Sequence, residues 1–189
     1  GTGKTTFLRK LRELSPKRMV ILAPTGVAAI NACGQTIHSF FQLPFTPFIP
    51  GLRNENKQRF FRMSKEKKDL IRSLDLLVID EISMVRSDLL DAIDDTLRRY
   101  RNPHKPFGGI QLLLIGDLQQ LPPVVKDNEW TIMSQYYETP YFFSSIALKQ
   151  LEYVTIELSH IYRQQDSKFI NILAAIRENR VSREILDEL

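Results

Sequence analysis

Apolar residues recur along this 189-residue chain in two rhythms, and their alternation sets the fold class. Phe7, Leu8 and Leu11 stand at helical spacing behind Gly1-Thr2-Gly3-Lys4-Thr5-Thr6, which predicts a helix opening on a glycine-rich turn. Met19 to Ala23 is a short continuous apolar run closed by Pro24-Thr25-Gly26, the pattern of a buried strand ending in a turn. The run from Leu76 into Asp80-Glu81 and the run from Ile110 to Ile115 repeat it. Elsewhere the period lengthens. Small residues from Val27 to Ala32 predict a helix ended by Gly34, and Ser64 is placed to cap a helix through Leu74. Ser87 is expected to cap another, with Leu89, Leu90, Ile93 and Leu97 on its apolar face and Arg98, Arg99 and Arg101 suiting its C-terminal dipole. Tyr141-Phe142-Phe143 and Val154 to Leu158 are predicted strands. Phe169, Ile172, Leu173 and Ile176 define a further helix, and Ser182 caps a last one carrying Ile185, Leu186 and Leu189. Buried strands alternating with helices predict an α/β fold, a mostly parallel sheet flanked by helices.

Residues 44–63 follow neither rhythm. Pro44, Pro47 and Pro50 exclude a helix and disfavour a central strand. Six of the eleven Phe residues lie between positions 40 and 61, interleaved with Arg53, Lys57 and Arg59. This predicts an aromatic and basic insertion standing off the core, with a hairpin of residues 45–49 and 59–63.

Composition narrows the class. Hydrophobic residues make up 43% and charged residues 25%, ordinary for a globular domain with a substantial core. No run approaches the roughly 18 apolar residues of a membrane span, so no membrane partner is expected. The N-terminus lacks the plan of a signal peptide, and Cys33 is alone; both point to an intracellular, reducing location, the cytoplasm in a bacterium or the nucleus or mitochondrion in a eukaryote. Cys33 itself is expected to be a small buried residue. The chain opens inside a motif and without Met, so it reads as a fragment. The net charge of +4 is unevenly spread: residues 53–72 hold eight basic and three acidic residues, net +5, leaving the rest at −1. A concentrated basic stretch suits a polyanion, although a solvated charged face has the same composition.

The chemistry-bearing residues sit where elements begin or end. Gly1 and Gly3 permit the dihedrals by which successive backbone N–H groups turn inward as an anion cradle. Lys4 is placed to reach β- and γ-phosphates, and the Thr5 hydroxyl to ligate Mg²⁺. The residues are the second half of the phosphate-binding pattern G-x-x-x-x-G-K-[ST], and the helix behind them would present unpaired amides to the phosphates. Asp80 and Glu81, at the carboxyl end of a buried strand, supply the partner chemistry: a carboxylate for the Mg²⁺ shell and one that orients and deprotonates the attacking water. Asp117 and Gln120 lie past the end of the next strand, and Thr25 and Gly26 past the end of the first, on the edge of a parallel sheet where ligands bind. His38 is a candidate nucleic-acid contact.

In order, G-T-G-K-T-T, A-P-T-G-V-A-A, T-I-H-S-F, V-I-D-E-I-S-M-V, P-F-G-G-I-Q-L-L-L-I-G-D-L-Q-Q-L-P-P-V and L-S-H-I-Y-R-Q resemble motifs I, Ia, Ib, II, III and IV of the PIF (petite integration frequency) DNA helicases, RecD-like members of helicase superfamily one. The resemblance runs from Gly1 to the neighbourhood of Arg177. It implies a RecA-like P-loop NTPase domain that hydrolyses ATP with Mg²⁺ and drives 5′-to-3′ movement on single-stranded DNA, with roles in DNA repair, recombination and telomere upkeep. It implies Gly1, Thr2, Gly3, Lys4, Thr5 and Thr6 as nucleotide contacts, Thr5 and Asp80 at the metal, and Glu81 at the water. Gln120 matches the glutamine that senses the γ-phosphate, and Arg163 the arginine that contacts it. Pro24, Thr25, Gly26, Thr36 and His38 match motifs that line the single-strand track. Residues 44–63 correspond to a small subdomain that offers a wedge to the junction of single- and double-stranded DNA; a hydrophobic brace over the core is the competing reading. The implied organisation is a motor domain over 1–43 and 64–178, the insertion between, and the start of a following helix at 179–189. Motifs V and VI, and the second RecA-like domain with its arginine finger, have no counterpart, so residues 1–189 alone are expected to be nearly inactive. Two other classes stay open. A P-loop kinase has no use for Glu81 beside Asp80 or for G-D-x-x-Q-L-P-P, whereas an ATP- and DNA-binding module would keep both sites without turnover.

Overall fold

The computed structural model describes residues 3–51 and 63–158, together with Ile172, Ala175 and Ile176. Four strands, β1 (Met19–Ala23), β2 (Gln35–Thr36), β3 (Leu76–Ile79) and β4 (Gln111–Leu114), form one parallel sheet in the order β2-β1-β3-β4. Val20 pairs with Leu77 and Leu77 with Leu112, so the three longer strands are in register across the sheet. Around them lie helices α1 (Lys4–Leu14), α2 (Gly26–Asn31), α3 (Ile37–Phe41), α4 (Lys65–Ser73), α5 (Ser87–Tyr100) and α6 (Asp127–Met133).

Side chains alternate across a strand, and the apolar runs therefore feed two cores. Ile21, Leu76 and Val78 point to one face and pack with Leu8, with Leu11 partly buried beside them, so α1 covers that face. Leu22, Leu77 and Ile79 point to the other, where Ile37, Phe40, Phe41, Ile71, Leu90, Ile93 and Leu97 close over them. Fully burying a side chain such as Ile93 or Leu97 contributes about 1.5–3 kcal/mol, which is why α5 is the anchor of this layer.

The polar side of α5 is equally buried. Asp88, Asp91 and Asp94 recur every three residues, and each takes backbone amides from a different loop. Asp88 accepts from Phe48 N at 2.9 Å. Asp91 accepts from Ile146 N at 3.1 Å, Ala147 N at 3.0 Å and the Ser145 hydroxyl. Asp94 accepts from Phe107 N at 2.5 Å and from Arg98. Burial pushes the Asp94 carboxyl up, and those donors oppose the shift. The Phe107-Gly108 turn is left-handed at both residues, and a Cβ on Gly108 would lie 2.6 Å from Leu97 O, so P-F-G-G is a staple between α5 and β4.

Several local expectations are corrected. Ser87 is the first residue of α5 and not its cap; Arg86 holds the cap position, and the Ser87 hydroxyl donates to Thr139 O instead. The Arg101 amide closes its own helix on Leu97 O, but its guanidinium leaves that end, donating to Ile71, Arg72 and Leu74 carbonyls and closing α4. Cys33 is exposed and takes the left-handed turn after α2 (φ 51°), while Gly34 is required because its Cβ would meet Ile21 O at 2.2 Å. Tyr141–Phe143 is not a strand; Phe142–Ser144 is a 3-10 turn held by Asp91 and by the Ser87 amide on Pro140 O. Residues 152–158 form no strand, and α6 was not foreseen. Residues 45–49 contain no strand either, and residues 59–62 of the expected hairpin lie outside the described residues. So do most of the helix expected over Phe169–Ile176 and all of the one expected after Ser182.

Candidate nucleotide and single-strand site

Because the sheet is wholly parallel, its strands deliver their following loops to one edge. The nucleotide end starts at Gly3, which caps α1 in the left-handed region at φ 87°, ψ 10°. The first amides of a helix have no partners within it. Here no side chain caps them and no acidic residue stands in the first turn, so the α1 terminus suits an anion. Lys4 is half-buried, and Thr5 and Thr6 are exposed beside it. Gly1, Thr2 and Arg163 lie outside the described residues.

Asp80 follows β3 directly, its amide donating to Leu22 O at 2.8 Å. Its Oδ1 accepts from Glu81 N at 3.0 Å. Burial raises the Asp80 pKa, while that amide and the Lys4 ammonium draw it back. Lys4, at the α1 terminus, thus acts electrostatically on the carboxylate at the end of β3. Glu81, expected to extend the strand, turns left-handed instead (φ 51°) and opens a buried 3-10 turn at Ile82–Met84. Behind it passes Gly116, where a Cβ would lie 2.8 Å from Ile82 Cγ2 and 3.1 Å from Ile82 N. Ile82 N donates to Ile115 O at 2.9 Å, which fixes the loop after β4 against the loop after β3. In that loop Asp117 accepts from Gln120 Nε2 at 3.0 Å and from Gln119 N at 3.1 Å, so Asp117 orients the predicted sensor Gln120.

The residues fit a hydrated divalent cation. Asp80 Oδ2 carries no hydrogen bond among the described residues, and the Thr5 hydroxyl is exposed on the same edge. No group of three or more His, Cys, Asp or Glu among the described residues is placed to hold a metal by itself. One carboxylate, one hydroxyl and phosphate oxygens is a Mg²⁺ donor set.

The other half of the edge carries the predicted single-strand contacts. Thr25 caps α2, its hydroxyl accepting from Ala28 N at 3.2 Å, and Thr36 caps α3, accepting from Ser39 N at 3.3 Å. Each hydroxyl keeps its proton to donate outward. Pro24 is half-buried, and nothing lies within 4 Å of a Cβ built on Gly26, so this loop is open. His38 stacks on Phe45 with ring centroids 4.5 Å apart and planes 17° from parallel, and Phe45 is 81% exposed. Burial lowers the His38 pKa, Arg86 lowers it further and Asp88 opposes, so the imidazole is held toward the neutral form. Pro24, Thr25, His38, Phe45, Arg86 and Val124 are among the residues lining a cavity of about 660 Å³ between this edge and residues 42–51.

Phe45 as the partner of His38 and the left-handed Glu81 were not foreseen, nor was the network around Arg86. Its only trace in sequence is the aspartate repeat on an otherwise apolar helix face. Among the described residues no helix is long and apolar enough to cross a membrane.

A model of the PIF1-like helicase family matches residues 1–185. The chain is 38% identical to the ATP-dependent DNA helicase RRM3 of Saccharomyces cerevisiae over 98% of its length, which is 25% of that protein. It is 38% identical to human ATP-dependent DNA helicase PIF1 over 100% of its length and 28% of that protein. Bacteroides Pif1 bound to single-stranded DNA superposes with a TM-score of 0.93 at 46% identity, over 99% of this chain and 43% of that one. The Bacteroides enzyme with ADP-AlF3 and single-stranded DNA gives 0.92 at 46% identity, over 99% and 42%. The chain thus spans about a quarter of the curated relatives it matches and less than half of these structures. With the family model matched over residues 1–185, the chain belongs to the PIF1-like helicase family.

Proposed function

We propose that this chain is the first motor domain of an ATP-dependent 5′-to-3′ DNA helicase, coupling hydrolysis to movement along single-stranded DNA and opening of the duplex. The observation that carries the reading is the convergence of an uncapped α1 terminus, Lys4, Asp80 and Glu81 at one end of an edge whose other end presents Thr25, Thr36 and the His38–Phe45 stack. Gly3, Lys4, Thr5 and Thr6 cradle the phosphates of ATP. Thr5 and Asp80 would hold Mg²⁺, which screens the phosphate charge when bound. Glu81 aligns a water and takes its proton, and Gln120, steered by Asp117, meets the γ-phosphate side of that water. Pro24, Thr25, Gly26, Thr36 and His38 contact the strand, and the junction of single- and double-stranded DNA faces residues 44–63.

The relatives support this reading: they are ATP-dependent DNA helicases, and related Pif1 structures hold single-stranded DNA, ADP-AlF3 or forked duplex. The test uses the full-length protein. ATP turnover should rise on adding single-stranded DNA, and a fork with a 5′ tail should open while one with a 3′ tail stays closed. Nucleotide and strand binding without turnover would replace the motor with a binding module.

A further inference from the structure

A buried charge cluster joins the two ends of the site and plays no part in the reaction just described. Arg86 stands five residues after Glu81, at the end of the buried 3-10 turn, and caps α5. Its guanidinium grips Asp88 with two bonds, Nε at 2.8 Å and Nη2 at 2.7 Å. Nη1 reaches Glu129 of α6 at 3.2 Å. Asp88, 2% exposed, spends its remaining capacity on Phe48 N in the insertion. Glu129 also accepts from Lys126 N, the N-cap of α6, the helix that follows the Gly116–Val124 loop. Arg86 and Asp88 together therefore tie three segments: the turn after Asp80–Glu81, the root of the insertion through Asp88, and the chain that follows Gln120 through Glu129. His38, the base of the Phe45 stack, lies within the field of Arg86 and Asp88. Tyr137, buried from the far side, faces Asp88, Asp91 and Arg86.

We propose that Arg86 and Asp88 are positioning residues that register the insertion and its His38–Phe45 platform against the turn after Asp80–Glu81, so that strand engagement and nucleotide engagement are coupled. The proposal rests on the reading of those two regions as strand-facing and nucleotide-facing. A buried bidentate pair suits the role because it has few alternative geometries: movement of either segment must carry the other or break charge-assisted bonds.

The test compares wild type, Asp88→Asn, Glu129→Gln and the double variant in the full-length protein. Three quantities are read: ATP turnover with single-stranded DNA, base pairs opened per ATP on a 5′-tailed fork, and Tm. Glu129→Gln keeps an acceptor for Lys126 N while removing the negative charge that faces Arg86, and Glu129 is the most exposed of the three partners, so it remains informative if Asp88→Asn does not fold. We expect turnover within about twofold of wild type and base pairs per ATP down about fivefold, as a coupling of this kind implies. The double variant should be no worse than the poorer single, since both break one cluster. A merely structural role would lower turnover and unwinding together, in step with Tm; an unchanged ratio overturns the proposal. Wild type without strand-stimulated turnover would instead overturn the helicase reading.

Discussion

The nucleotide end of the sheet edge and the surroundings of α5 are shaped by different forces. At the nucleotide end the backbone does the shaping: Gly3 and Glu81 turn left-handed, Asp80 N and Ile82 N close on neighbouring strand carbonyls, and Gly116 leaves room for the turn in front of it. Lys4, Thr5 and Thr6 are then left facing outward, in no ion pair among the described residues. Along α5 it is buried carboxylates that take backbone amides: Asp88 reaches Phe48 at the insertion, Asp91 reaches Ile146 and Ala147, and Asp94 reaches Phe107. Reactive groups must be available to ligand, so their geometry is fixed without using them. Structural carboxylates must be desolvated, so each is fully used. On the proposed reading the same residue type thus serves opposite ends: Asp80 for exchange with a ligand, Asp88 and Asp91 for permanence.

The sharpest way to break this contrast is Glu81→Gln. Loss of a positioned base lowers turnover by about 10²–10⁴-fold, and on this account nucleotide affinity and Tm stay near wild type. Lys4→Ala should weaken nucleotide binding as well, because it removes a phosphate contact. Matching losses of affinity in the two variants, measured by nucleotide titration, would contradict the division of labour.

Asp91→Ala should do the reverse. It strands the buried Ala147 amide, the half-buried Ile146 amide and the Ser145 hydroxyl, a loss of about 3 kcal/mol at 1–3 kcal/mol per orphaned group with partial relaxation. Denaturant unfolding reads the loss; a change below about 1 kcal/mol would show that water or repacking replaces the carboxylate.

Phe45→Ala separates wedge or strand contact from brace. An aromatic side chain stacked on a base contributes about 1–3 kcal/mol to single-strand affinity, and at 81% exposure its removal should leave unfolding unchanged. A fall in stability without a fall in affinity would make residues 44–51 a brace.

The smallest effect concerns His38. Its folded pKa lies below the ordinary histidine value of about 6.5. The unfolded chain therefore binds the proton first as pH falls, and stability is lost from about pH 6.5 down to the folded pKa, then levels off. His38→Gln should flatten the stability profile between about pH 7 and 5, with Arg86 and Asp88 still in place. An identical slope in the variant would mean that His38 is not held neutral.

The contrast also explains what could be read from sequence. The three longer strands, the α1 turn and the carboxylates after β3 are local patterns, and each was legible: Gly3-Lys4-Thr5 before Leu8, and an apolar run before Asp80; the two-residue β2 carries no such run and was not foreseen. So was Ser64 as the cap of α4, since its hydroxyl accepts Lys67 N only three residues away. The contacts of Asp88 and Asp91 join residues 40 to 56 positions apart, which no periodicity encodes. Tyr141-Phe142-Phe143 has the apolar character of a strand, but Ser87 and Asp91 hold its neighbours and bend it into a 3-10 turn. Ser87 is a good cap by type, yet Pro140 and Thr139 claim its amide and hydroxyl, moving the cap to Arg86.

The central claim is that one edge of this sheet takes ATP at the α1 terminus and a single DNA strand past β1 and β2. A crystal structure of the full-length protein with ADP, aluminium fluoride, Mg²⁺ and an oligothymidine strand tests it directly. The account predicts the phosphates on the amides of Gly3 to Thr6, the fluoride beside Glu81 and Gln120, the metal on Thr5 and Asp80, and the strand across Thr25, Thr36 and the His38–Phe45 stack. Phosphates seated elsewhere, or a strand that leaves Thr25, Thr36 and His38 untouched, would contradict it.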